Sequence, residues 1–189
     1  LRDRFNVPLS IDTSNSAVAS AAVEAGVSVI NDVWGLKKDP DIARVAAEAQ
    51  TALVLMFNAT NSSIVAKSSD IVEDAMRYLH SGIETAIKFG VAESQLIIDP
   101  GIGFGVTTEE SLTLIHNIPR FKQMGFPLLL GPSKKRFIGA ILDASVDDRQ
   151  TGTLAVCAIG AYLGADILRV HDVYEAGRVI KMVQALKQA

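Results

Sequence analysis

Five short stretches of this sequence carry side chains able to do chemistry: "SIDTS" (10–14), "VINDV" (29–33), "DPGIGFG" (99–105), "GPSKKRFIG" (131–139) and "ILRVHDV" (167–173). Together they supply carboxylates at Asp12 and Asp99, an amide at Asn31, an ammonium at Lys135, a guanidinium at Arg169 and an imidazole at His171. Carboxylates accept from amino and ring N–H groups, an ammonium donates to a ring carbonyl, and an amide does both. The set suits a flat heterocycle rich in N–H donors. Arginine is suited to a diphosphate or to the face of a π-system. Each residue also has an ordinary alternative. Asp12, Thr13 or Ser14 could cap a following helix. Asn31 and Asp32 could form a turn, and Asp99 precedes Pro100, which pushes it out of helical geometry. Asp172 could orient His171 or cap the last helix, and we favour the cap. His80 and His116 lie in helical patterns and take no role.

The glycines of "DPGIGFG" follow Gly-x-Gly-x-Gly, not the Gly-x-Gly-x-x-Gly of dinucleotide folds, and no Gly-x4-Gly-Lys-Ser/Thr loop occurs. Glycine permits backbone conformations that swing a neighbouring side chain, here Phe104, over a pocket. The stretch therefore reads as a pocket-shaping loop rather than a phosphate cradle.

The elements that must position these groups alternate. Apolar runs of strand length, "PLSID", "VSVIND", "ALVLMF", "LIIDP", "PLLLG" and "ILRVHD", are separated by helical patterns. Asp39 and Pro40 mark a helix start. Val72, Met76, Leu79, Ile83 and Ala86 share one face of a helix that Gly90 ends. Thr107 and Glu110 form a capping box, with Pro119 breaking the helix beyond it. "SNSAVASAAVEAG", "TGTLAVCAIGAYLGA" and "YEAGRVIKMVQALKQ" complete the helices. Strict alternation without hairpin signals implies a parallel sheet. Polar residues end nearly every strand, which favours a (β/α)8 barrel, whose ligand groups come from many strand ends, over an open sheet with one switch point. Six units are visible where a barrel has eight in about 250 residues. The expectation is that the first two units are missing from a chain that starts at Leu1.

Composition bounds the rest. The 189 residues, 49% hydrophobic with net charge -3, fit one domain spanning 1–189. No basic run suggests nucleic acid, no stretch is long enough for a membrane span, and no secretion signal opens the chain, so a cytoplasmic protein is expected. Cys157 sits in an apolar helix as a small core residue. The sequons at Asn58 and Asn61 are read as unmodified.

The five stretches, in this order and spacing, resemble the dihydropteroate synthase family over essentially the whole chain. The resemblance implies a barrel that joins 6-hydroxymethyl-7,8-dihydropterin diphosphate to 4-aminobenzoate. It implies that Asp12, Asn31, Met56, Asp99, Lys135 and Arg169 hold the pterin and that Arg169 and His171 hold the diphosphate. Phe104, Ser133 and Lys134 would border the aminobenzoate, with Asp12, Lys135, Arg169 and His171 as the catalytic set. It further implies Mg2+ beside the diphosphate, with the family's metal ligand in the missing units, and a homodimer packed through late helices. The family carries His-Met-Arg/Gln-Gly after the third strand seen here, whereas this chain has "MFNAT" (56–60), with Phe57 in place of the His. Two other readings are an inactive pterin-binding relative and a pterin-dependent corrinoid methyltransferase; the latter needs no diphosphate site.

Overall fold

The structure is a computed structural model that describes residues 6–62, 65 and 68–189. Among the described residues six parallel strands follow one another in chain order: β1 (Ser10–Asp12), β2 (Val29–Asp32), β3 (Ala52–Met56), β4 (Leu96–Asp99), β5 (Leu129–Leu130) and β6 (Ile167–Leu168). β1 to β4 pair consecutively, as do β5 and β6. A single parallel bridge between Ile98 and Leu128 joins the two groups. The helices are α1 (Ser16–Glu24), α2 (Asp41–Ala49), α3 (Ile71–Lys88), α4 (Thr108–His116), α5 (Ile118–Lys122), α6 (Arg136–Leu142), α7 (Gln150–Leu163) and α8 (Val173–Gln188).

The sheet is curved into an arc. Ser10, Val29, Val54, Ile97, Leu129 and Ile167, one from each strand, line a single space of about 500 Å3, which a flat sheet could not enclose. The two-residue strand period sends these side chains inward. It sends Ile30, Leu53, Leu55, Leu96, Ile98, Leu128 and Leu130 outward, where the helices bury them completely. Two residues beyond the first inward layer, the same period places Asp12, Asn31, Met56 and Asp99 at the strand ends. Asp12 lies opposite Asn31 in the β1–β2 register, and Met56 opposite Asp99 in β3–β4.

Local signals decide which polar residues stay free for that face. Asn15 caps α1, accepting from the Val18 N–H at 3.0 Å, so Asp12, Thr13 and Ser14 do not. Asp32 is fully buried and accepts from the Trp34 and Leu36 N–H groups at 3.0 and 2.7 Å. Asp172 caps α8 through the Glu175 N–H. The capping box of Thr107 and Glu110 forms, and the helix breaks at Asn117, ahead of Pro119 in α5. Asp39 marks the start of α2 as expected, its Oδ1 accepting the Asp41 N–H at 3.2 Å, with Pro40 directly preceding the helix. Its Oδ2 also accepts the Ser16 N–H of α1 at 2.7 Å, the bond that does most to hold its pKa low. One carboxylate thus serves two helix starts. Helix α6 was not anticipated; it is seven residues long and contains Gly139, too short for a period to show.

The "MFNAT" stretch forms a packing hub under "DPGIGFG". Phe57 is fully buried, edge-on to Tyr78 at 5.3 Å. Asn58, 2% exposed, donates to the Val33 carbonyl and accepts from Thr60, which leaves no room for a glycan there. The other sequon extends to Ser63, outside the described residues. The glycine loop lies directly on this hub. A Cβ on Gly101, at φ 69°, would sit 1.8 Å from the Phe57 carbonyl oxygen. One on Gly105, at φ 70°, would sit 2.2 Å from the backbone of Ala59 and Thr60. Gly125 has a similar φ of 88° but open space around it. Denaturant unfolding should therefore separate backbone strain from collision. Gly125→Ala should cost about 1 kcal/mol, and Gly105→Ala about 2–4 kcal/mol.

Candidate active site

A cleft of about 220 Å3 opens at the carboxyl ends of the strands. Asp12, Asn31, Met56, Asp99, Phe104, Ser133, Lys135, Arg169 and His171 all line it. Of the residues singled out from the sequence only Lys134 does not; its Nζ faces Asp147 at 4.0 Å. Val33, Ile102 and Gly131 also line the cleft and were not singled out. Val33 lies two residues after Asn31 and Gly131 two after Leu129, so the strand period could have found them.

The cleft has an exposed rim and a buried floor. On the rim, Arg169 donates to Asp12 Oδ2 at 2.6 Å, both side chains about half exposed. Such a pair contributes about 0–1 kcal/mol. The Asn31 amide donates to Asp12 Oδ1 at 2.9 Å. A carboxylate only accepts, so this contact fixes the amide orientation. It leaves Asn31 Oδ1 buried with no hydrogen-bond partner among the described residues, an acceptor ready for an N–H of a ligand. The hydroxyl of Ser133 lies 2.7 Å from His171 Nδ1 and accepts the His171 N–H at 3.3 Å.

On the floor, Asp99 is 5% exposed, and its Oδ1 accepts the Gly101 N–H at 2.8 Å. Lys135 donates to the Ile102 carbonyl at 2.8 Å and lies 3.9 Å over the Phe104 ring. A cation in that position is attracted by the ring face. Burial pushes Asp99 up to about 6, outweighing the Gly101 N–H and the charges of Lys135 and Arg169. Burial likewise lowers Lys135 to about 8, against the pull of Asp99. Both groups are charged between those values, and both have shed much of their water. A ligand offering donors to Asp99 and an acceptor to Lys135 would restore what burial removed.

No group of three or more His, Cys, Asp or Glu able to hold a metal occurs among the described residues. Asp12, the rim carboxylate, is already engaged by Asn31 and Arg169. The residues present do not by themselves fit a Mg2+ site.

A strand arc whose mouth combines buried acceptors, a half-buried ammonium and a rim guanidinium defines a β/α-barrel protein whose cleft is suited to a flat polar heterocycle. The family model described as "Pterin binding enzyme" matches residues 1–171. Among curated relatives, the dihydropteroate synthase of Bacillus subtilis is 42% identical over 96% of this chain, and that of Clostridium beijerinckii 42% over 98%. The chain spans 62% and 68% of their respective lengths. The structure of the dihydropteroate synthase from Clostridium difficile, solved in the presence of pteroic acid, superposes with TM-score 0.93 at 36% identity, covering 100% of this chain and 71% of that one. The Xanthomonas albilineans enzyme in complex with 7,8-dihydropteroate gives TM-score 0.93 at 34% identity, covering 100% and 70%. The chain belongs to the dihydropteroate synthase family of pterin binding enzymes.

The raised pKa of Asp99 sets a stability trend. The folded state holds the proton more tightly than the unfolded chain, so this contribution is complete below pH of about 4 and is lost as pH rises through about 6. Asparagine carries no such dependence. Asp99→Asn should gain about 2 kcal/mol on the parent between pH 4.5 and pH 7, read from denaturant unfolding at the two values.

Proposed function

We propose that this chain forms the substrate-binding bulk of a dihydropteroate synthase. It would join 6-hydroxymethyl-7,8-dihydropterin diphosphate to 4-aminobenzoate and release diphosphate. The observation that carries the proposal is the convergence of buried Asp99, the unpartnered Asn31 Oδ1 and Lys135 on one small cleft. The two acceptors suit the amino and N–H edge of a pterin, and the ammonium suits its ring carbonyl or ring nitrogen. Arg169 and His171 on the rim suit the diphosphate, with Arg169 able to cover the ring face. Phe104, held by Lys135 and the glycine turns, would border the aminobenzoate, as would Ser133.

In this reaction the bond between the pterin methylene and the diphosphate oxygen breaks, and a bond from the same carbon to the aminobenzoate nitrogen forms. The diphosphate takes the electron pair of the broken bond, and the amine loses a proton. Positive charge develops on the methylene and its conjugated ring, where the Asp12 carboxylate would stabilise it. Arg169 and His171 would stabilise the departing anion. The amine needs alignment more than activation. Mg2+ belongs to this proposal as a companion of the diphosphate, held by groups other than those described here. A cytoplasmic homodimer also belongs to it. Ile159 and Tyr162 of α7 and Met182 and Leu186 of α8 are exposed apolar side chains that support such packing. No helix among the described residues is long and apolar enough to cross a membrane.

Calorimetric titration of the full-length protein with the pterin diphosphate tests the assignment. Lys135→Ala should weaken binding about 10–100-fold, the worth of a hydrogen bond to a charged group; unchanged affinity would refute it. A coupled assay for diphosphate release with both substrates should show turnover, whereas binding without release would mark an inactive pterin-binding relative. Binding also needs Asp99 ionised and Lys135 protonated. Affinity for the uncharged 6-hydroxymethyl-7,8-dihydropterin should therefore peak between about pH 6 and pH 8 and fall on both sides.

A further inference from the structure

The sharpest backbone anomaly at the cleft is Lys134, which stands between two lining residues at φ 52°. It occupies the third position of a turn that the Lys135 N–H closes onto the Pro132 carbonyl at 3.3 Å. A positive φ there calls for glycine or asparagine, and a lysine resists it. Two residues from outside the turn hold this conformation. Thr153 of α7, 2% exposed, accepts the Lys134 N–H on its Oγ1 at 3.0 Å and is itself fixed by donating to the Arg149 carbonyl at 2.9 Å. Arg149, at the end of the 3-10 turn Asp147–Arg149, donates from Nη1 to the Lys134 carbonyl at 3.1 Å and from Nε to the Ala144 carbonyl at 3.3 Å. Both peptide groups flanking the Lys134 Cα are thus engaged. The guanidinium reaches this position only because residue 139 is glycine. A Cβ there would meet its atoms at 2.4–2.6 Å.

We infer that Thr153 and Arg149 are positioning residues that act through the Lys134 backbone, and that the clamp they form sets where Ser133 and Lys135 stand in the cleft. Neither residue lines the cleft. Released from the clamp, the turn relaxes toward negative φ, and the Lys135 side chain leaves the Ile102 carbonyl and the Phe104 ring. The role in catalysis rests on the pterin assignment; the conformational role does not.

The test has two arms in the full-length protein. In the first, the Cα and Cβ chemical shifts and the HN–Hα coupling of residue 134 are measured by NMR without ligand. Thr153→Val, which keeps the side-chain volume, and Arg149→Lys should each erase the left-handed signature. Its persistence in both would overturn the clamp. In the second arm, the pterin diphosphate is titrated calorimetrically. Thr153→Val should weaken binding about tenfold, one neutral hydrogen bond's worth. Adding Lys134→Gly, which accepts positive φ without help, should recover most of that loss. A merely structural role for Thr153 would lower the melting temperature with no recovery of affinity by glycine, and that result would also overturn the proposal. If the parent protein binds no pterin diphosphate, the pterin assignment fails, and the NMR arm alone supports or overturns the clamp.

Discussion

The site depends on one short stretch of backbone that holds two opposite charges, one buried and one half-buried. The Gly101 N–H engages Asp99, and the Ile102 carbonyl engages Lys135. Each charged group therefore spends a hydrogen bond on the main chain of "DPGIGFG". This leaves the pair electrostatically coupled, with hydrogen-bonding capacity to offer a ligand. The loop can do this only because its glycines lie flat against the "MFNAT" hub and against Lys135. The pocket-shaping loop read from the sequence is a device for setting a carboxylate and an ammonium at fixed positions in one small cleft.

The surrounding fold serves the same end. Parallel strands give every inward side chain a fixed height. One two-residue step separates the apolar layer at Val29, Val54 and Ile97 from the cleft-lining layer at Asn31, Met56 and Asp99. The caps matter equally. With Asn15 and Asp172 closing their helices, Asp12 and His171 remain available to the cleft.

Most of this was legible from residue types at strand ends. Strand ends declare themselves by an abrupt change from apolar to polar, which marked Asp12, Asn31, Asp99, Arg169 and His171. Met56 came only from the family resemblance and Phe104 from the glycines beside it, and Asp32 and Asn58, equally polar, lie outside the cleft. What the sequence hid was of another kind. Asp39 holds its own helix start with one oxygen and a helix start in a different unit with the other, and a local reading cannot weigh the distant donor. Helix α6 is too short to show a period. Phe57, standing where the family has His, turned out to be buried against Tyr78, away from the cleft. Lys134 carries the charge expected of a ligand-facing group, yet its left-handed backbone turns it toward Asp147. Side-chain direction at such a residue depends on the clamp around it, and Thr153 and Arg149 offer no signal at the sequence level.

The contrast between a half-exposed rim and a buried floor has an electrolytic consequence. At physiological ionic strength the screening length is about 8 Å, and mobile ions reach Asp12, Arg169 and His171 but not Asp99. A ligand spanning both zones is held by two grips that answer differently to added salt. The outer grip on an anionic tail loosens as counterions compete, while the inner grip on the ring is nearly indifferent. The same molecule would therefore lose its tail contacts in concentrated electrolyte while its ring stayed seated.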